Sequence, residues 1–261
     1  MNSPIVIAGA TGGMGAAIAL EQLSLGRSVI ALGRSAEKLD RLQALADENG
    51  RYTQMGELHK CQVEITDPEA CRDVAADIIA RHGSLGGYVH AAGIGHCGPL
   101  MQTSDANWTE AFEIKVNAAA RMIRLLMPGF DGAPAASIVL IGGVFAKEPN
   151  GLFAINSTLN AAIAGFGKSL SGALRDKGIR VNVLHPGATR TAQWSQLATD
   201  ASRLLGITAD EVTNATAAQL IGNKLLEPGE VASAVSFLLA PANRSMTGTL
   251  MVLDGGETKA I

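Results

Sequence analysis

The sequence predicts an α/β protein: a doubly wound parallel sheet of about seven strands, folded as a single domain over residues 1–261. Three observations predict it. Short, nearly all-apolar runs alternate with helical stretches along the chain, the pattern of strands buried on both faces. The first of these runs ends in a glycine-rich turn, "GATGGMG", that leads straight into a helix. No repeat, linker or low-complexity tract interrupts the alternation.

In chain order, "PIVIAG" (4–9) reads as a buried strand and "GAAIALEQLSLG" (15–26) as a helix ended by Gly26. "SVIALG" (28–33) is the second strand, followed by a helix over 36–50 that stops at Asn49-Gly50. "HKCQVEI" (59–65) is the third strand. Asp67 then caps a helix running to about Arg81, with Pro68 in its first turn. "GYVHAAG" (87–93) is strand four, a long helix covers about 105–127, and "ASIVLIG" (136–142) is strand five. A second long helix covers about 153–177, before "RVNVLHPG" (180–187), strand six. A helical excursion follows at about 191–225, then a helix at 229–240 and a last strand, "GTLMVLDGG" (248–256).

Composition narrows the classes of function. Hydrophobic residues make up 47% and charged residues 17%, enough for one large core, while aromatics are only 4%. Net charge is −3, which argues against nucleic acid or an anionic membrane surface as partner, since both require a concentrated basic face. Cys61, Cys71 and Cys97 show no metal-like spacing and read as free thiols in a reducing compartment. The start, "MNSPIVIAGATGG", has no basic segment before its short apolar run, and no run reaches the ~20 apolar residues of a membrane helix, so a cytoplasmic protein is expected.

The turn after strand one carries Gly9, Thr11, Gly13, Met14 and Gly15. Glycines there let the chain turn tightly and let a pyrophosphate approach backbone N–H groups at a helix N-terminus, where the helix dipole favours negative charge. An ordinary glycine-rich turn is the bland alternative, but the strand before it and the helix after it supply the context a dinucleotide site needs. Strand two ends in Gly33, Arg34 and Ser35, where an NAD binder usually places a carboxylate for the ribose hydroxyls. An Arg can meet a 2′-phosphate, so NADP(H) is expected over NAD(H); the alternative is a solvated loop arginine. Glu64 is a candidate acceptor for an adenine amino group with Ile65 against the ring, or simply a strand-end carboxylate.

With the spaced glycines, "HAAG" at 90–93, Asn117 in a long helix, "RVNVLHPGATRT" at 180–191 and "MTGTLMVLDGG" at 246–256, the chain resembles the short-chain dehydrogenases/reductases over essentially its whole length. The resemblance implies a Rossmann-type fold, a cofactor cleft that includes Ala92, Gly93, Pro186, Gly187 and Thr191, a substrate lid at 191–227, and assembly of dimers or tetramers through the two long helices. It also implies a catalytic Asn, Ser, Tyr and Lys. Asn117 stands for the first. At the other three positions this sequence has Gly143, Asn156 and Asn160.

Asn has no titrating proton, so Asn156 can donate a hydrogen bond but cannot act as acid or base, a role worth roughly 10²–10⁴-fold. Gly143 offers no side-chain donor, and Asn160 removes a cation. Ordinary carbonyl reduction is therefore expected to be weak. His96, in the loop after strand four, is a candidate replacement acid; Lys115, two residues before Asn117, is expected to face another way on the helix. His90, His96 and Cys97 fit no common metal spacing, and no metal is expected. Trp194, Leu197, Leu204, Leu205, Ile207 and Leu220 in the lid suggest a small apolar or mixed substrate. Three functions fit: an NADP(H)-dependent oxidoreductase with altered chemistry, a silent subunit of an active reductase, or a non-redox lyase or isomerase on the same fold.

Overall fold

The computed structural model describes residues 3–50, 55–133 and 135–260. Seven parallel strands form one sheet in the order β3-β2-β1-β4-β5-β6-β7. They are β1 (Ile5–Ala8), β2 (Val29–Gly33), β3 (Leu58–Gln62), β4 (Gly87–His90), β5 (Ser137–Ile141), β6 (Arg180–Pro186) and β7 (Leu250–Leu253). The five inner strands are buried along their whole length, whereas the edge strands β3 and β7 are only partly covered. Their polar positions, such as His59 and Lys60, reflect that edge placement.

Helices cover both faces. α1 (Gly13–Ser24), α2 (Ala36–Gly50) and α9 (Pro228–Leu239) pack on one side, against Ile7, Val29, Val89 and Leu184. On the other side α3 (Pro68–His82), α5 (Ala118–Phe130) and α6 (Ala154–Ala173) pack against Val6, Ile30, Ile138 and Val183. Asp67 caps α3, its side chain accepting from the Glu69 and Ala70 N–H groups.

Two expected elements are built differently. The long helix at 105–127 is α4 (Asp105–Phe112), one wide π turn (Glu113–Asn117) and then α5, which runs on to Phe130. The second long helix, α6, stops at Ala173, and a separate 3₁₀ turn covers Arg175–Lys177. The excursion after β6 resolves into α7 (Ala192–Leu205) and α8 (Ala209–Ala217). Its two ends are strapped together, Arg190 N donating to Leu226 O and Leu226 N to Ala188 O, both near 3 Å.

Arg180 fastens the start of β6 to the end of α9. It is buried, and its guanidinium donates to the carbonyls of Leu238, Leu239, Ala240 and Met246. Arg180→Leu would remove all four of these bonds at once; Leu238, Ala240 and Met246 would each keep one other donor, from Ser137, Asn243 and Asn182, while Leu239 would lose its donor. A loss of roughly 3 kcal/mol or more is expected, read as a lower midpoint in denaturant unfolding.

Candidate functional site

The strand order reverses direction between β1 and β4, and the C-terminal ends of these strands part there to form a crevice. Its floor depends on close backbone approach. Gly9 has φ +79°, and a Cβ on it would lie 2.6 Å from Ala92 N. A Cβ on Gly15 would strike the Gly9 carbonyl. α1 begins here with Gly12 as N-cap and no side-chain cap, so its first N–H groups are left for whatever enters the crevice.

Gly9, Thr11, Gly13, Met14 and Gly15 line this end of the cleft. So do Arg34 and Ser35 from the end of β2, Glu64 and Ile65 beyond β3, Ala92 and Gly93 beyond β4, and Thr191 at the start of α7. Lys38 lines it too and was missed from sequence; its spacing, four residues after Arg34 at the start of α2, was the available signal. Gly33 has no room for a longer side chain without adjustment, since its Cβ would meet Thr11 Cγ2 at 2.9 Å.

The cleft continues past Met14, Ala92, Gly93 and Thr191 to a second end, lined by Gly143, Asn156, Asn160, Pro186 and Gly187. Asn156 accepts from the His96 N–H through Oδ1 at 3.0 Å. Because a backbone N–H can only donate, the carbonyl half of the carboxamide is committed to the loop, and the NH₂ half is what Asn156 has left to offer. Asn160 is buried and its Oδ1 has no partner. Gly143 and Asn160 interlock: a Cβ on Gly143 would lie 2.5 Å from Asn160 Nδ2.

Three expectations are overturned here, for Asn117, His96 and Lys115. Asn117 does not reach the cleft: it is exposed, and its Nδ2 donates to Glu113 Oε2 at 2.6 Å. His96 contributes its backbone rather than its ring, which is not part of the cleft wall. The residue that does enter is Lys115. It lines the second end, and its Nζ donates to the Gly142 carbonyl at 3.1 Å and stands 3.7 Å from where a Gly93 Cβ would be. Burial pushes its pKa down to about 8.

The π turn is the physical reason. An ideal helix advances about 100° per residue, whereas the wide turn spanning Glu113–Asn117 resets that phase. His90, at the end of β4, holds the turn from inside. Its Nε2 lies 3.1 Å from the Ile114 carbonyl and its Nδ1 2.7 Å from the Tyr88 hydroxyl, so the ring donates to the carbonyl and accepts from the phenol. Burial lowers the His90 pKa to about 4, keeping it neutral. From outside, Arg121 pairs with Glu113 and donates to the Ile65 carbonyl at 2.7 Å.

Two more groups complete the surroundings. His185 is buried beneath Gly143, with Nδ1 against that residue's backbone and Nε2 unpartnered; burial, with Lys115 and Lys147 acting in the same direction, lowers its pKa to about 4. Glu257 lines the far wall, accepts from the Ala188 N–H at 3.2 Å, and has its pKa raised, chiefly by burial. Glu148, beside Lys147, instead holds the C-terminal backbone at Lys259 and Ala260. Trp194 and Leu197 of α7 line the cleft, but Leu204, Leu205 and Ile207 are exposed and Leu220 is buried elsewhere. Among the described residues no cluster of three or more metal-ligating side chains occurs.

A family model described as enoyl-(acyl carrier protein) reductase matches residues 9–258. The chain belongs to the short-chain dehydrogenase/reductase family. Among similar members, the 3-oxoacyl-[acyl-carrier-protein] reductase of Vibrio cholerae serotype O1 is 27% identical, covering 96% of this chain and 95% of its own. The 2,3-dihydro-2,3-dihydroxybenzoate dehydrogenase of Bacillus subtilis is also 27% identical, over 98% and 95%. Among solved structures, a variant of actinorhodin polyketide ketoreductase with NADPH superposes with a TM-score of 0.92 at 23% identity, covering 99% of this chain and all of that one. L-sorbose reductase from Gluconobacter frateurii, complexed with NADPH and L-sorbose, gives 0.89 at 23% identity, over 100% and 98%.

The interlock in this short-chain dehydrogenase/reductase has a measurable consequence. Gly143→Ser alone should destabilise by about 1–3 kcal/mol through overpacking against Asn160. With Asn160→Ala the penalty should largely disappear, so a double-mutant cycle in denaturant should show coupling above ~0.5 kcal/mol; additive losses would mean that the two positions do not touch.

Proposed function

We propose that the protein is an NADP(H)-dependent oxidoreductase whose reacting end departs from the family's Ser, Tyr and Lys. The observation that carries this reading is the single cleft running from Arg34 to Gly143, floored by glycines whose Cβ positions are already taken by backbone. The fit is specific. Uncapped N–H groups of α1 suit a diphosphate, and Arg34, Ser35 and Lys38 suit a 2′-phosphate. Glu64 and Ile65 stand where an adenine would be held, and Pro186, Gly187 and Thr191 where the nicotinamide would be held. When bound, the cofactor supplies the hydride.

At the reacting end, Asn156 offers an N–H donor and no titrating proton, so family-style carbonyl reduction through a tyrosine is not available. The wall facing it is apolar, with Ile94, Val144, Leu159 and Trp194, which suits a small apolar or mixed substrate. Similar members of known activity include reductases, which support reduction as the direction, and a dehydrogenase, which does not. The exposed stripe Thr158, Ala161, Gly165, Ser169 and Gly172 on α6 supports close packing against a second copy, and the free thiols support a reducing, cytoplasmic setting.

Titration followed by nucleotide fluorescence should show NADPH binding more tightly than NADH. Arg34→Ala with Lys38→Ala should weaken NADPH by roughly 10–100-fold, the equivalent of one or two lost charge-assisted contacts, and leave NADH nearly unchanged. Binding of neither nucleotide would overturn the reading. On the assembly, light scattering should give a multiple of the chain mass, and Gly165→Leu should shift it towards the monomer.

A further inference from the structure

We propose that Lys115 is the catalytic acid of this cleft, giving a proton from Nζ to a substrate carbonyl oxygen that Asn156 Nδ2 holds from the other side. This rests on the NADP(H) reading above and adds a residue to it. The family resemblance places an amine on the long helix at position 160, where this chain has Asn160. Here an amine arrives from the opposite wall. Lys115 Nζ is anchored on the Gly142 carbonyl, one residue from Gly143, and the same short stretch of backbone packs against Asn160. The Nζ has three N–H bonds, of which Gly142 takes one, leaving two for the cleft.

The charge environment leaves the amine without a counter-ion. Lys115 forms no ion pair among the described residues. The titratable groups around it are His90 on β4, His185 on β6, Lys147 after β5 and Glu257 in the C-terminal segment. Both histidines stay neutral above pH ~5, since burial holds each pKa near 4. Burial alone accounts for the lowered pKa of Lys115, about 8. An amine titrating there is still mostly charged at pH 7, half-charged near pH 8, and releases its proton far more readily than a lysine of ordinary pKa.

The step balances. A hydride from the reduced nicotinamide adds to the carbonyl carbon, and the C=O π pair moves onto oxygen. An Nζ–H bond breaks as the O–H bond forms. Neutral Lys115 then regains a proton from solvent, so the net change is one carbonyl and one NADPH to one alcohol and one NADP⁺ with uptake of one proton.

Two measurements test this. Without cofactor, acetic anhydride labelling across pH 6–11, read by peptide mass spectrometry, should give Lys115 a midpoint near 8, well below the ~10.4 of an ordinary lysine. With NADPH and a panel of small ketones, kcat/KM should fall as pH rises through about 8, because the acid form is being lost. Lys115→Met should lower it by roughly 10²–10⁴-fold while the NADPH Kd changes less than about threefold, and Lys115→Arg should remove the limb near pH 8 because its charge does not titrate. Glu257→Gln should keep that limb. A Lys115 midpoint at the ordinary lysine value of ~10.4, wild-type rates in Lys115→Met, or NADPH binding with no ketone turnover would overturn the proposal. Absence of NADPH binding overturns the cofactor reading instead, and this proposal with it.

Discussion

The wide turn at Glu113–Asn117 is clamped from two sides, and the contents of the cleft follow from that clamp. Inside, the neutral ring of His90 donates to the Ile114 carbonyl, a group that a change in helical register frees for an outside partner. Outside, Glu113 is gripped by both Asn117 and Arg121. Arg121 reaches on to the Ile65 carbonyl, so the turn is also tied to the loop beyond β3, beside the Arg34 end of the cleft. Between these restraints the Lys115 side chain reaches across to Gly142.

Most of the fold was legible because steric rules write it into residue type. Apolar runs alternating with helical stretches gave a parallel sheet with both faces covered, and glycines at 9 and 15 marked backbone too close to tolerate a Cβ, while Gly13 makes room for the Thr191 side chain. Arg34 was legible as the residue in place of a carboxylate. What escaped was phase. Reading the long helix as uniform at about 100° per residue turned Asn117 inward and Lys115 outward, and the structure has the reverse. No local preference distinguishes "EIKVN" as a wide turn. The remaining clue was non-local: His90 at a strand end, a buried ring that needs a carbonyl to bond.

The substitutions at Gly143, Asn156 and Asn160 look like independent losses in one dimension and form a set in three. Without a Cβ at position 143, Asn160 can lean into that space, and its Nδ2 does so. Asn156 spends its oxygen on the His96 N–H, fastening the loop after β4 to α6. That bond also restrains the loop after β4, so one carboxamide contributes to both the loop and the second end of the cleft. Restoring a single family residue would meet an environment already adapted to its absence.

A half-buried ammonium group without a carboxylate is costly, and a protein commonly responds by lowering the pKa of the group. Glu257 shares the cleft yet bonds the Ala188 N–H and makes no ion pair with Lys115. The Gly142 carbonyl satisfies one N–H and leaves the charge itself uncompensated. The group that would best compensate it is an oxygen gaining negative charge between Lys115 and Asn156. In the carbonyl reduction proposed above, such an oxygen develops only as hydride arrives, so the arrangement would favour the reacting state over the resting one.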